Sequence, residues 1–311
     1  MKVSELFQRG GEPVIINEVG PRDGLQNHPR HLTPAQRVRL IESLVAAGVS
    51  SLEMGAFVSP KAVPAMAGTD EVFAGLDSNS AGFSVLVPNR KGYELARDAG
   101  IATVNLVVAA SNSMNKQNIR MSTEQAMAVA HEVIAVAADE AMRTQVYIAT
   151  AWQCPFEGAV DPGLVLEMTG QLLDWGSDRI VLADTIGAAA PGAVRALVAE
   201  AIGEYGAEKF CCHFHDTRAF GVANVYAALE AGARRFDTSV GGLGGCPFAP
   251  GASGNVATED VVLLLEQEGF DTGIDLKALL DSVALAAELT QSSVGGRSYN
   301  WLRQQAEKGR L

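Results

Sequence analysis

Short β-rich runs alternate with longer helical runs about eight times along this chain, and no other feature restricts the possible fold as much. Strand-like runs fall at 14–19, 50–54, 83–87, 103–108, 144–149 and 179–183, then at Lys209-Phe210-Cys211 leading into Cys212–Asp216, and last at 236–240. Between them lie helix-start signals: Thr33-Pro34, Asp161-Pro162, Pro191-Gly192, and Ser122-Thr123-Glu124-Gln125, a capping-box arrangement. Strands separated by helices must pair in parallel, with right-handed crossovers. Eight such units in roughly 270 residues fit a closed (β/α)8 TIM barrel better than an open doubly wound sheet, the alternative architecture. The segment 103–121 reads as a strand followed by a long loop. The sequence therefore predicts an α/β protein with a barrel domain over 1–275. A helical extension, 276–311, packs on it without a linker.

Composition narrows the class. At 311 residues the chain can bury a large core without disulfide staples, and it holds no apolar run long enough to cross a membrane. A net charge of -12 argues against nucleic acid, whose binders carry basic patches, but leaves room for an anionic small substrate held by a few local cations. The four cysteines, Cys154, Cys211, Cys212 and Cys246, show no disulfide framework, and the N-terminus lacks the regions of a signal peptide. A reduced, cytoplasmic compartment is expected.

Chemistry in such a barrel sits at the C-terminal ends of the strands, and the unusual polar residues gather there. His213 and His215 stand two apart on a strand, so both imidazoles share one face and can hold a divalent metal. Arg22 and Asp23 follow the first strand, Glu53 interrupts the apolar end of the second, and Asp184 ends the sixth. Cys246 and Asn255 lie beyond the eighth. Taken singly, each has a plainer reading: a surface turn at Arg22-Asp23, a turn cap at Asp184, a small buried hydrophobe at Cys246. Glu53 among apolar neighbours is costly unless it is paired. The run Gly241–Gly245 lacks the Lys-Ser/Thr of a phosphate loop and reads as a mobile lid. Landing together on one rim is what gives these residues weight.

Five blocks, Gly20–Asn27, Phe57–Pro60, Asp184–Gly187, His213–Thr217 and Gly242–Asn255, resemble the 3-hydroxy-3-methylglutaryl-CoA lyase family, in order and across most of the chain. The resemblance implies a metal-dependent lyase, cleaving (S)-3-hydroxy-3-methylglutaryl-CoA or a similar acyl-CoA to acetyl-CoA and a ketone product, acetoacetate in the first case. It implies Asp23, His213, His215 and Asn255 as metal ligands, Arg22 as the group that steadies the enolate, and Cys246 as a proton carrier. Glu53 and Asp184 match further acidic active-site positions, and Gln26 and Ser111 are expected substrate contacts. Mg²⁺ or Mn²⁺ is the expected metal, although the donor types also suit Zn²⁺ or Co²⁺. A homo-oligomer, dimer or larger, is expected. Arg90, Lys91, Lys116 and Arg297 are candidates for the CoA phosphates by charge.

Several positions depart from the family pattern: Ala56 for a serine, Ala183 for a glycine, Asn112 for an acidic residue, and Arg218-Ala219-Phe220 for Tyr-Gly-Gln. They bear on the acyl pocket, so a longer or differently branched hydroxy-acyl-CoA is the first alternative substrate. An isopropylmalate-synthase-like condensing enzyme shares the His-x-His site but is disfavoured by Cys246 in its glycine loop. A non-catalytic CoA-thioester-binding barrel is disfavoured by the intact ligand set.

Overall fold

The computed structural model describes residues 11–245 and 254–311. Its strands β1 (Ile15–Glu18), β2 (Ser51–Ala56), β3 (Gly82–Leu86), β4 (Thr103–Ala109), β5 (Arg143–Ala149), β6 (Arg179–Asp184), β7 (Phe210–Phe214) and β8 (Arg235–Thr238) close into a parallel barrel in chain order. Closure is made by β1 against β8, in register from Ile15 opposite Arg235 to Glu18 opposite Thr238. That pairing rules out the open sheet and gives a TIM barrel.

The outer layer consists of α1 (Pro34–Ala46), α2 (Thr69–Ala74), α3 (Arg90–Asp98), α4 (Asn112–Ile119), α5 (Thr123–Asp139), α6 (Pro162–Asp174), α7 (Pro191–Tyr205), α8 (Gly221–Glu230) and α9 (Thr258–Gln267). Two more, α10 (Leu276–Thr290) and α11 (Tyr299–Glu307), follow; α10 packs along α1, and α11 on α10. The capping signals work as written. Thr33 and Ser122 each accept from the backbone N–H three residues on, and Gln36 and Gln125 reach back to complete both boxes. In α1 the stripe Leu40, Ile41 and Leu44 is fully buried against the barrel wall, each side chain contributing about 1.5–3 kcal/mol.

Two local expectations are corrected. The long loop after β4 contains α4, whose sequence Asn-Ser-Met-Asn-Lys-Gln-Asn-Ile carries no apolar stripe to betray it; the Ser111 hydroxyl caps it by accepting from Met114 N–H at 3.3 Å. The eighth strand ends at Thr238, because Val240 N–H turns inward to the buried Glu18 carboxylate at 2.9 Å.

The outward faces of the strands form the main apolar core with the helices, through Leu52, Val104, Val146, Ile180, Cys212 and Phe236 among others. The inward faces carry Asn17, Glu53, Asn105, Gln145, Tyr147, His213 and Asp237, all buried. The barrel thus holds a polar interior, and buried polar groups need partners.

Candidate active site

At the end of β1 the chain makes a single wide turn, Gly20–Gly24, in which the N–H groups of Arg22, Asp23 and Gly24 converge on the Val19 carbonyl at 3.1, 2.7 and 3.2 Å. Such π-type turns are uncommon and recur at functional sites. The glycines at both ends are there for closeness. A Cβ on Gly20 would sit 2.6 Å from Glu18 Oε1, and one on Gly24 would sit 2.9 Å from Ser239 Oγ. The turn carries Arg22 and Asp23 to the C-terminal mouth.

There Asp23 meets the two histidines of β7. One ligand atom from each of Asp23, His213 and His215 lies within 4.8 Å of the others. The two rings share one side of the strand, as the spacing predicted, with centroids 5.1 Å apart. Asn255, which bridges to His215 through the backbone, donates its amide Nδ2 to Asp23 Oδ2 at 2.9 Å and to the Leu243 carbonyl at 3.1 Å. Those two bonds leave Asn255 Oδ1 buried without a partner, and His215 Nδ1 is likewise buried and unpartnered among the described residues. Unsatisfied buried polar atoms are costly, whether an amide oxygen that can only accept or a ring nitrogen whose role follows its tautomer. A carboxylate and two imidazoles around one point, with the unpaired amide oxygen of Asn255 on the residue bonded to Asp23, form a donor set that fits a divalent cation.

Behind the rim, the Asp237 carboxylate receives four donors: His213 Nδ1 at 3.1 Å, Tyr147 Oη at 2.8 Å, Asn17 Nδ2 at 2.8 Å and the Cys211 thiol at 3.2 Å. This is the carboxylate–histidine arrangement that turns the other ring nitrogen toward a metal. Burial pushes the His213 pKa down, but the bond and charge of Asp237 outweigh it and the net shift is upward. His215 lacks such support; burial and then the neighbouring His213 push it down to about 4, so it is a neutral ligand at ordinary pH. Burial also opposes ionisation of Asp23, yet Arg22 and the two imidazoles hold its carboxyl well below the usual range.

Arg22 is clamped on two sides, its Nε to Glu53 Oε2 at 2.5 Å and its Nη1 to Asp23 Oδ1 at 2.6 Å. Burial works against its charge, but the two carboxylates keep it protonated. Glu53 in turn accepts from Asn105 Nδ2 at 2.8 Å.

The structure therefore brings together Arg22, Asp23, Glu53, His213, His215 and Asn255. Gln26 joins them by donating to Asp23 Oδ1 at 3.2 Å. Asp184 stands at the rim with both carboxylate oxygens taken up by the loop N–H groups of Ala188 and Ala189, at 2.9 and 3.0 Å. Ser111 is buried at the end of β4, capping α4 and donating to Cys154 Sγ at 2.9 Å. Cys246 lies outside the described residues. Sequence reasoning missed Asp237, Tyr147, Asn17 and Asn105. Their signal was a polar residue at an inward position of a parallel strand, where aliphatic side chains are the rule.

With this geometry in view, comparison with known proteins is decisive. The HMGL-like family model matches residues 13–285. The chain belongs to the HMGL-like family. Among relatives of this HMGL-like chain, hydroxymethylglutaryl-CoA lyase of Pseudomonas mevalonii is 44% identical over 280 residues, covering 89% of this chain and 93% of its own. The (R)-citramalyl-CoA lyase of Chloroflexus aurantiacus is 43% identical over 280 residues, covering 86% and 88%. The crystal structure of hydroxymethylglutaryl-CoA lyase from Pseudomonas aeruginosa superposes with a TM-score of 0.91 at 40% identity, covering 95% of this chain and 99% of that one.

Proposed function

We propose that this HMGL-like enzyme cleaves 3-hydroxy-3-methylglutaryl-CoA to acetyl-CoA and acetoacetate in a divalent-metal-dependent reaction in the cytoplasm. The observation that carries the reading is a cation-ready donor set beside a doubly clamped, permanently charged arginine on one rim of the barrel. Asp23, His213, His215 and Asn255 would hold Mg²⁺ or Mn²⁺, the oxygen donors favouring these harder ions. When bound, the metal withdraws electron density from the substrate hydroxyl and lowers its pKa.

The chain's own residues act on the acetyl-CoA half of the cleavage and on the orientation of the site. Arg22 has both Nε and Nη1 fixed, and its Nη2 makes no hydrogen bond among the described residues, so it is a preorganised donor for the thioester oxygen as the enolate forms. Glu53 sets the orientation of Arg22. Asp184 orders the turn Thr185–Ala189 at the rim, and Gln26 shares Asp23 Oδ1 with Arg22 and so helps to hold that carboxylate in place. Cys246 donates the proton that converts the acetyl-CoA enolate to acetyl-CoA.

A related substrate with a different acyl branch is the second reading, favoured by the segment just after the metal-site histidines. Arg218 and Ala219 lie in a turn before α8; Ala219 takes a left-handed backbone (φ 60), and Phe220 is 43% exposed. A steady-state comparison of hydroxymethylglutaryl-CoA, citramalyl-CoA and a longer branched hydroxy-acyl-CoA separates the two. The first reading predicts the highest kcat/KM for hydroxymethylglutaryl-CoA; a large preference for another thioester replaces it with the second.

A further inference from the structure

The opposite, N-terminal mouth of the barrel encloses a cavity of about 410 Å³ that the proposed reaction does not use. Four cations line it: Arg143, Arg179, Lys209 and Arg235. In a chain of net charge -12 this is a notable concentration, and no carboxylate lies within ion-pair distance of any of the four among the described residues. Of the acidic residues at the cavity wall, Asp178 accepts the Thr144 N–H at 2.7 Å, and Glu208 is exposed.

Each inner arginine is anchored by one nitrogen only. Arg179 Nη1 donates to Gln145 Oε1 at 3.0 Å, and its Nε is buried without an acceptor. Arg235 Nη1 donates to Ser51 Oγ at 3.1 Å. Burial, then Arg235 and to a smaller extent Arg143, pull the Arg179 pKa down; Cys211 and Asp178 oppose this, but the net shift is downward. A floor built only for stability would pair such charges or fill the space with apolar side chains. Fixed guanidinium forks around a cavity match the geometry of oxyanions instead.

We infer that the N-terminal mouth of the barrel is a second binding site, for a small multivalent oxyanion of the phosphate or polycarboxylate class. An anion seated there accepts from Arg179 Nη2 and from the unused nitrogens of Arg235, and relieves the repulsion among the cations. Ser51, Ser84 and Gln145 add neutral polar groups to the wall. The site faces away from Arg22 and Asp23, so its ligand does not compete with the acyl-CoA.

The test is isothermal titration calorimetry on the full chain, stripped of metal with a chelator, with sodium pyrophosphate in one arm and citrate in the other. One-to-one binding is expected in at least one arm. It should weaken about tenfold or more in Arg179→Gln and in Arg235→Gln, and persist in Arg22→Gln. Lys209→Gln removes a side chain with no hydrogen bond among the described residues, and its severalfold loss keeps the test valid should an arginine variant fail to fold. Absence of binding in both arms overturns the inference. So does binding that survives Arg179→Gln, Arg235→Gln and Lys209→Gln alike, or that is lost in Arg22→Gln.

Discussion

Asp237→Asn should weaken metal binding by roughly 10–100-fold while leaving the fold almost untouched. The wild-type carboxylate receives only donors, so the proton of a neutral His213 must sit on Nδ1, and Nε2 carries the lone pair. An asparagine can satisfy the same surroundings if its oxygen keeps Asn17 and Cys211 and its NH2 faces His213 and Tyr147. Tyr147 can accept through its hydroxyl oxygen, and His213 can accept only by moving its proton to Nε2. Every group but the Tyr147 hydroxyl proton is then paired, so the stability cost stays near 1 kcal/mol. A protonated Nε2, however, cannot bind a metal. Lost outer partners of metal-bound histidines cost roughly 10–100-fold in affinity, or about 1.4–2.7 kcal/mol. Titration of Mn²⁺ into chelator-stripped protein by calorimetry measures this directly, with urea unfolding as the stability control. Tyr147→Phe removes one donor and keeps the carboxylate, so its metal affinity should stay within about threefold of wild type. A folded Asp237→Asn protein that binds Mn²⁺ as tightly as wild type would refute the tautomer argument.

Three further outcomes follow from the same site. Burial pushes Glu18 from its ordinary 4.5 up to about 7, against the bonds it accepts from Thr258, Val240 and Gly20. A folded-state pKa above the unfolded one means that its stabilisation is complete below about 4.5 and lost as pH rises to about 7, roughly 3 kcal/mol at most. Glu18→Gln should therefore gain melting temperature relative to wild type as pH rises through that window; parallel curves would contradict the assignment. Glu53→Gln should lower kcat by about tenfold or more by loosening Arg22, with Mn²⁺ affinity unchanged in calorimetry. Cys246→Ala should lower kcat by roughly 10²–10⁴-fold with metal affinity unchanged, and intact turnover or lost metal binding would remove the residue from its proton-carrying role.

The barrel was legible because each strand and helix announces itself locally: capping boxes at Thr33 and Ser122, prolines at 162 and 191, and β-branched runs between them. The two histidines were legible for the same reason, since alternation along a strand fixes their common face. Glu53 could be marked as needing a partner, and it has one in Arg22, 31 positions away. The pairing itself was invisible, because it depends on how the Gly20–Gly24 turn aims the arginine. Asn255 was placed on the rim by its position after the eighth strand, but its role as a ligand came only from the family resemblance; its place opposite His215 is set by a backbone bridge. Asp237 went unseen because a lone acid in Arg-Phe-Asp-Thr looks like an ordinary strand-end charge until the barrel closes around it. Helix α4 escaped because it is held by Ser111 and Asn115, through polar bonds to the rim, and by Met114 packed inside.

The most direct test of the account is product analysis after incubation with hydroxymethylglutaryl-CoA and Mg²⁺, beside a chelator arm and an Asn255→Ala arm. Acetyl-CoA and acetoacetate should form in equal amounts. Both should vanish with the chelator and return when Mg²⁺ or Mn²⁺ is restored, and Asn255→Ala should need a higher metal concentration for the same rate. Cleavage that proceeds undiminished in excess chelator, or a protein that cleaves no hydroxy-acyl-CoA with metal present, would contradict the central claim that this rim is a metal-dependent lyase site.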